Sequence, residues 1–466
     1  MNDTASTLEL NDWVRHGCQL QNQGRWQEAQ VCFEEAVRIA PQELQTLIQL
    51  GFVLIQLKNW RRAAEIYERI VPLLPRDHRV WCNLSYLHER CGQFLPATDR
   101  ARKAIRLAPE SGESWNNLGL ALRCQHHLSE AIQAFRQALI RQPAFALAEF
   151  NLAATHLLRG EYELGWPGYE ARNRLAEARL RTPLAPQWLG EPLPTGKLLV
   201  YSDQGLGDLL QFLRFLPEAR RISQAATLVL SSPGELTRLL EGCAGVDQIV
   251  TLQQEPADCT AELAISSLPG LLGVTQKAIA GPVPYLKPVV PPLLPPVADL
   301  LKQASRSTLR VGLVWRGNPA QANDYQRSLF LEQLEPLASI PGVSWFSLQV
   351  GDAGREQLSD AAARWNLADL GQHFQDFSDT VAALEHLELL ITVDTATAHL
   401  AGALGRPVWT LLCHTPDWRW GLNGTRSVWY PCMRLFRQPA WGDWESVVRS
   451  IQTAMPIFRD IPRPGH

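Results

Sequence analysis

A period of 34 residues running through the first third of the chain constrains its fold more than any other feature. Trp13, Trp81 and Trp115 share one phase of it, with Leu47 in the remaining place. Gly17, Gly51, Ser85 and Gly119 share a second phase, and Ala29, Ala63, Ala97 and Ala131 a third. Phe33, Tyr67, Ala101 and Phe135 hold a fourth, and Pro41, Pro75, Pro109 and Pro143 a fifth. A repeat of this length is one helix pair, too small to bury its apolar face alone, so successive pairs must stack. Small residues mark where antiparallel helices touch, large aromatics fill the gaps, and proline ends the second helix. Four units cover about residues 10 to 145, and a worn fifth continues through Ala153, Gly165 and Tyr169.

This spacing resembles the tetratricopeptide repeat. Arrays of that kind bind protein segments along a concave wall built from the first helix of each pair. Asn83, Asn117 and Asn151 occupy one equivalent position on that wall. An asparagine row can hold an extended peptide backbone, as the repeat arm of O-GlcNAc transferases does. The repeats are expected over 1–159, with a protein or peptide acceptor as partner.

At 466 residues the chain has room for about three domains of about 150 residues. A formal charge of −3 gives no reason to expect nucleic acid or an anionic membrane as partner. Nine scattered cysteines without a Cys-x-x-Cys pair indicate neither a zinc ribbon nor a redox motif. The acidic, polar start MNDTASTLELND is not a signal peptide, and no uncharged apolar run reaches about 18 residues. A cytoplasmic protein without a membrane span or cofactor is expected.

After the repeats, residues 160–195 turn to proline, glycine and tryptophan and read as a linker. From Leu198 strands alternate with helices, which implies a parallel, helix-covered sheet. The alternation restarts at Leu309 beyond a proline-dense stretch. Two tandem α/β domains are therefore expected, 196–290 and 309–466, joined by a stiff proline-rich linker at 291–308. Ligands of such sheets bind outside the carboxyl ends of the strands.

Leu389–Leu412, LLITVDTATAHLAGALGRPVWTLL, reads as strand, tight turn, helix and strand. Asp394 and Thr395 suit a helix cap, with Gly405 as stop and Pro407 just beyond. A helix start aimed out of a parallel sheet binds anions, because its first amides lack partners and its dipole favours negative charge. A sugar-nucleotide diphosphate is expected here, beside Asp394 and His399. A glycine turn, Gln204-Gly205-Leu206-Gly207-Asp208, follows the first strand of the 196–290 domain. Leu210 stands where a dinucleotide fingerprint needs its third glycine. Asp208 could instead act as general base on an acceptor hydroxyl. The chain has no Asp-x-Asp to share with a metal, so positive charge must come from Arg316, Arg327 or Arg419 and the helix dipole. CHTPDWRW, with His414, Asp417, Trp418, Arg419 and Trp420, should also line the cleft.

QGLGDLLQFLRFLP, GLVWRGNP, DYQRS and VDTATAHLAGALGRPVW, in this order behind a repeat array, resemble the heptosyltransferase-like glycosyltransferases of the GT-B fold. The layout is similar to that of flagellin glycosyltransferases and O-GlcNAc transferases. The resemblance implies an all-α tetratricopeptide solenoid followed by two Rossmann-like domains. It also implies metal-independent transfer from a nucleotide-sugar, generally with inversion. Asp208 would be the base, and Arg327, with Asn318 nearby, would face the diphosphate. Asp394 would hold sugar hydroxyls, with His399 helping to position the sugar, and the amides of Thr395, Ala396 and Thr397 would hold phosphate. Ala396 stands where heptosyltransferases have glycine, which leaves the donor sugar open. Two other readings remain: an interaction scaffold with an inactive transferase-like module, and transfer to lipid or saccharide.

Overall fold

The computed structural model describes residues 2–175, 181–279, 281–305, 307–358 and 364–460. They fall into two compact units, 1–156 and 157–466. The first is built from helix pairs: α1 (Asn2–Asn22) with α2 (Trp26–Ile39), α3 (Leu44–Gln56) with α4 (Trp60–Ile70), α5 (His78–Arg90) with α6 (Phe94–Leu107), and α7 (Gly112–Cys124) with α8 (Leu128–Arg141). The helix α9 (Ala146–Leu158) follows.

The period has a direct steric cause. A Cβ on Gly17, Gly51 or Gly119 would come within 2.9, 2.8 and 2.5 Å of the rings of Phe33, Tyr67 and Phe135. Each second helix thus presses an aromatic onto a bare backbone in the first. In the third pair both partners change together. Ala101 replaces the aromatic, Ser85 replaces the glycine, and the serine Oγ donates to the Ala97 carbonyl at 2.8 Å. Ala29, Ala63, Ala97 and Ala131 are fully buried at the same contacts. Glu43, Asp77 and Ser111, again 34 residues apart, cap α3, α5 and α7 through their side chains. The indoles of Trp81 and Trp115 donate to the carbonyls of Pro75 and Pro109, both at 3.0 Å.

The second unit opens with α10 (Tyr162–Tyr169) and contains two parallel sheets. The first sheet has the order β3-β2-β1-β4, from β1 (Lys197–Tyr201), β2 (Thr227–Ser231), β3 (Gln248–Val250) and β4 (Ala261–Ala264). The second has the order β10-β9-β8-β5-β6-β7. Its strands are β5 (Leu309–Val314), β6 (Val343–Ser347), β7 (Leu367–Asp369), β8 (Leu389–Val393), β9 (Val408–Leu412) and β10 (Met433–Arg437). Every residue of β8 and β9 is buried, which is why those segments read as unbroken apolar runs without alternation. The described part of the chain ends in the helix Trp444–Arg459, capped by Asp443, whose carboxylate accepts from the Ser446 amide at 3.0 Å.

Two segments read as linkers have structure of their own. Within 160–195, α10 packs Trp166 on Tyr162, Tyr169 and Trp418 with ring centroids 5.5–6.1 Å apart. Its indole donates to Val274 O at 2.7 Å. Further on, Gln187 forms a parallel bridge with Glu262 of β4. Apolar residues at helical spacing, hidden among the prolines and glycines, make this stretch part of the α/β unit. Within 291–308, Pro295–Gln303 is a helix that buries Val297 and Leu301. Proline sits in its first turn, where its missing N–H costs nothing.

Candidate active site

Each sheet has one place where the strand order reverses, and the loops leaving it diverge into a crevice. In the first sheet this place lies between β1 and β4, and in the second between β5 and β8. The loops that carry Asp208, Arg327 and Asp394 leave from these two places.

At the second sheet, the loop after β5 turns back through a short helix, Asp324–Arg327. Asp324 is buried and accepts from Ser328 Oγ at 2.8 Å and from Arg327 Nε at 3.3 Å. Arg327 Nη1 donates to the main-chain oxygen of Asp394 at 2.9 Å. The guanidinium therefore lies against the turn that begins the helix Ala396–Ala403, whose cap is Thr395. Gly317 leaves the room for it, since a Cβ there would meet Arg327 Nη2 and Asp324 Oδ1 at 2.7 Å. Thr395 is fixed by a 2.9 Å hydroxyl contact with Thr392, while Ala396 and Thr397 are half-buried. The Asp394 carboxyl titrates at about 6, raised by burial and by Asp417 against the pull of Arg327. Asn318 is exposed in a turn of its own, accepting from Ala320 N at 2.9 Å. Arg316 lies 5.6 Å over the Phe330 ring.

At the first sheet, Gly205 caps the helix Leu206–Phe212. Asp208 Oδ2 accepts from the Gly205 amide at 3.0 Å. Its other oxygen pairs with Arg419, which comes from the loop after β9. Arg419 is buried; Nη1 donates to Asp417 at 2.7 Å, Nε to Gln211 Oε1 at 2.5 Å, and the guanidinium lies 4.2 Å over Trp418. Burial pushes the Asp208 carboxyl above the ordinary aspartate range, with Asp417 and Asp203 adding to it against Arg419. The reversal point itself holds another buried arginine, Arg172, bonded to Asp203 at 2.8 Å and Ser267 Oγ at 2.6 Å. A cavity of about 350 Å³ opens beside it, lined in part by Trp166, Glu170, Trp188 and Ser267.

The two halves touch where the glycine turn meets the Ala396–Ala403 helix. A Cβ on Gly207 would stand 2.8 Å from His399 Cδ2 and 3.6 Å from the Ala396 Cα. Gln204 lies in the same turn, and a Cβ on Gly205 would stand 3.6 Å from Gln321 of the β5 loop. The structure thus brings Asp208, Gly207, Asp417, Arg419 and His399 into one junction, with Asp394 and Arg327 adjoining it.

Several expectations change. His399 does not point into an open cleft: it is buried, its Nδ1 is 2.9 Å from the Tyr430 hydroxyl, and its ring tilts against Trp420 at 5.2 Å. Burial, with Arg419, Arg214 and Arg327 around it, holds its pKa well below the usual histidine value, so it is neutral. Trp418 is not a stacking platform for a base, because it is enclosed by Trp166, Tyr169 and Trp429. Arg419 is already bonded to two carboxylates and is no open cation. His414 is half-buried, its amide held by Gln438 Oε1 at 3.0 Å. In the repeats, Asn83 is exposed and donates to the Tyr67 hydroxyl at 3.0 Å, and Asn117 donates to Cys82 O at 3.1 Å. Asn151 is buried and donates to Asn116 at 3.0 Å, so it is closed to a peptide. Gln211 was not among the expected residues; its place three positions after Asp208 on one helix face is the signal that could have found it. Nothing in the sequence pairs Arg172 with Asp203.

Among the described residues, no group of three or more His, Cys, Asp or Glu side chains could hold a metal ion. Likewise no helix is long and apolar enough to cross a membrane.

A tetratricopeptide solenoid followed by two parallel α/β sheets of the GT-B type is the class that this fold defines. Residues 20–84 and 112–145 match tetratricopeptide-repeat models, and residues 374–438 match the glycosyltransferase family 9 (heptosyltransferase) model. The chain carries tetratricopeptide repeats and a glycosyltransferase family 9 domain. It is similar to protein FlbA of Caulobacter vibrioides, at 27% identity over 359 residues. That match covers 71% of this chain and 59% of that protein. Among solved structures, MamA from Desulfovibrio magneticus matches at 17% identity and a TM-score of 0.32, covering 35% of this chain and 92% of that one. The protein TTC0263 of Thermus thermophilus matches at 22% identity and a TM-score of 0.31, covering 36% and 91%.

Proposed function

We propose that the chain is a glycosyltransferase that moves a sugar from a nucleotide-sugar to a protein acceptor recruited by its repeats. One observation carries the reading. Arg327 and the start of the Ala396–Ala403 helix converge at the reversal point of the second sheet, with the base candidate Asp208 presented from the first. A cation and a helix terminus suit a diphosphate leaving group. The Asp394 carboxyl at that turn suits sugar hydroxyls. Asp208 would take the acceptor proton as the acceptor oxygen bonds to the anomeric carbon and the bond from that carbon to the diphosphate oxygen breaks, the charge passing to the diphosphate beside Arg327. A base acting from the acceptor side, opposite the leaving group, implies inversion. Asn83 and Asn117 are the repeat residues offered to an acceptor peptide. No step in this reading calls for a metal.

The experiment is direct titration of the full chain with UDP-, GDP- and ADP-sugars, followed by nucleoside diphosphate release with candidate acceptors. Binding of one donor that Arg327→Ala weakens, with turnover that Asp208→Asn removes, is the expected result. One observation favours the second reading, a scaffold: both Asp208 oxygens already have partners. A folded protein that no donor binds or stabilises would establish it.

A further inference from the structure

Arg419 belongs to the donor-side half of the unit, yet its guanidinium lies in the first half, against Asp208 and Gln211. It is buried, and each of its three nitrogens has an acceptor there: Nη2 on Asp208, Nη1 on Asp417, Nε on Gln211. Its main-chain amide also donates to Asp417 at 3.1 Å, which fixes the loop that carries it. The flat faces of Trp418 and Phe212 lie 4.2 and 5.7 Å from it. A guanidinium held this way cannot turn toward a diphosphate without giving up its bonds to Asp208, Asp417 and Gln211. It can, however, fix a carboxylate. Each carboxylate oxygen has two acceptor positions. Arg419 and the Gly205 amide use one on each oxygen of Asp208, which stops the group rotating and leaves a further position on each oxygen of a side chain that is 20% exposed. A base in turn oriented by a third group is the arrangement that activated catalytic pairs share.

We propose that Arg419 is a positioning residue for Asp208, crossing from the donor-side half to aim the carboxylate at the acceptor hydroxyl, with Gln211 holding the guanidinium in place. The inference rests on the transferase reading and goes beyond it. The catalytic carboxylate is complete only when the loop after β9 is docked, so each half of the cleft supplies part of the base.

The test separates turnover from donor binding in the full chain, using UDP-N-acetylglucosamine, GDP-mannose and ADP-glucose as probes. With whichever probe the wild type consumes, Arg419→Gln lowers kcat by about 100-fold, as loss of a general base's alignment does, while the donor Kd changes less than about threefold. Arg419→Lys, which keeps the charge but not the fork, restores at least part of the lost kcat. Gln211→Met guards against a variant that does not fold, because it removes one hydrogen bond at nearly constant volume and keeps the arginine. It lowers kcat by about tenfold with the donor Kd unchanged. A donor Kd that rises in step with the loss of kcat would make Arg419 a diphosphate ligand and overturn the proposal. So would wild-type kcat in folded Arg419→Lys and Gln211→Met together. If the wild type binds and consumes none of the probes, the transferase reading itself fails, and the positioning role with it.

Discussion

The crevices of the two sheets are built alike and furnished differently. At the four-stranded sheet the cations are buried and matched: Arg172 serves Asp203 and Glu170, and Arg419 serves Asp208 and Asp417. Removing a carboxylate from such a set leaves a buried guanidinium, 2% exposed in Arg172 and 8% in Arg419, short of a partner, so these groups are committed to geometry. At the six-stranded sheet, Arg327 is held through Asp324 and a main-chain oxygen and retains 19% exposure. The carboxyl beside it, Asp394, is held up at about 6 by burial. An anionic ligand could add to that set without breaking an ion pair of comparable burial. One crevice is pre-assembled around carboxylates, and the other is left receptive to negative charge.

Four measurements could break this contrast, taken from the largest effect down. Asp208→Asn should lower sugar transfer by about a thousandfold or more while donor titration is unchanged; transfer at near wild-type rate would remove the four-stranded side from the chemistry. Asp394→Asn probes the other crevice by stability. A carboxyl at about 6 in the folded chain and 3.8 in its ordinary state favours folding while protonated. That advantage is full below about 4 and is lost as pH rises through about 6, about 3 kcal/mol in all. Wild type should therefore lose stability relative to the asparagine variant as pH rises from about 4 to 8, and the variant should be the more stable at about pH 8, yet bind donor less well. Equal pH profiles for the two proteins would refute the raised carboxyl. Arg327→Ala should raise the donor Kd by about 10- to 100-fold, the cost of about 1.5–3 kcal/mol for one charge-assisted hydrogen-bond donor. An unchanged Kd would place the diphosphate elsewhere. Gly207→Ala should lower stability by about 1–2 kcal/mol, because the new methyl meets His399 at the junction of the halves. A neutral result in thermal unfolding would show that the junction opens freely.

Local signals in the chain carried much of this. The repeat was legible because each phase of the period reports one contact, glycine under aromatic, and Ser85 with Ala101 shows that pair changing together. The strand–turn–helix at Leu389–Ala403 was legible because both faces of β8 are buried and its end is marked by polar caps. The roles of single side chains were less so. His399 and Trp418 carry functional residue types in a functional stretch, but their chemistry is decided by what covers them, Tyr430 and Trp420 for one, Tyr169 and Trp429 for the other. The 160–195 stretch misled through its composition, because prolines and glycines on its surface obscure the aromatic face of α10.

By itself, then, the chain determined what depends on neighbours in sequence: helix pairs, caps, parallel strands, and the two turns from which ligand-binding loops leave. Only the tertiary structure decided which charges meet. Asp208 and Arg419 are 211 positions apart, and Arg172 and Asp203 are 31. Ion pairs over such separations leave no periodic trace, because each needs one residue once, at a place set by how two sheets and their loops pack. The same packing sets the dielectric around each group, and so separates the ion-paired Asp208 in one crevice from the Asp394 carboxyl, raised to about 6, in the other.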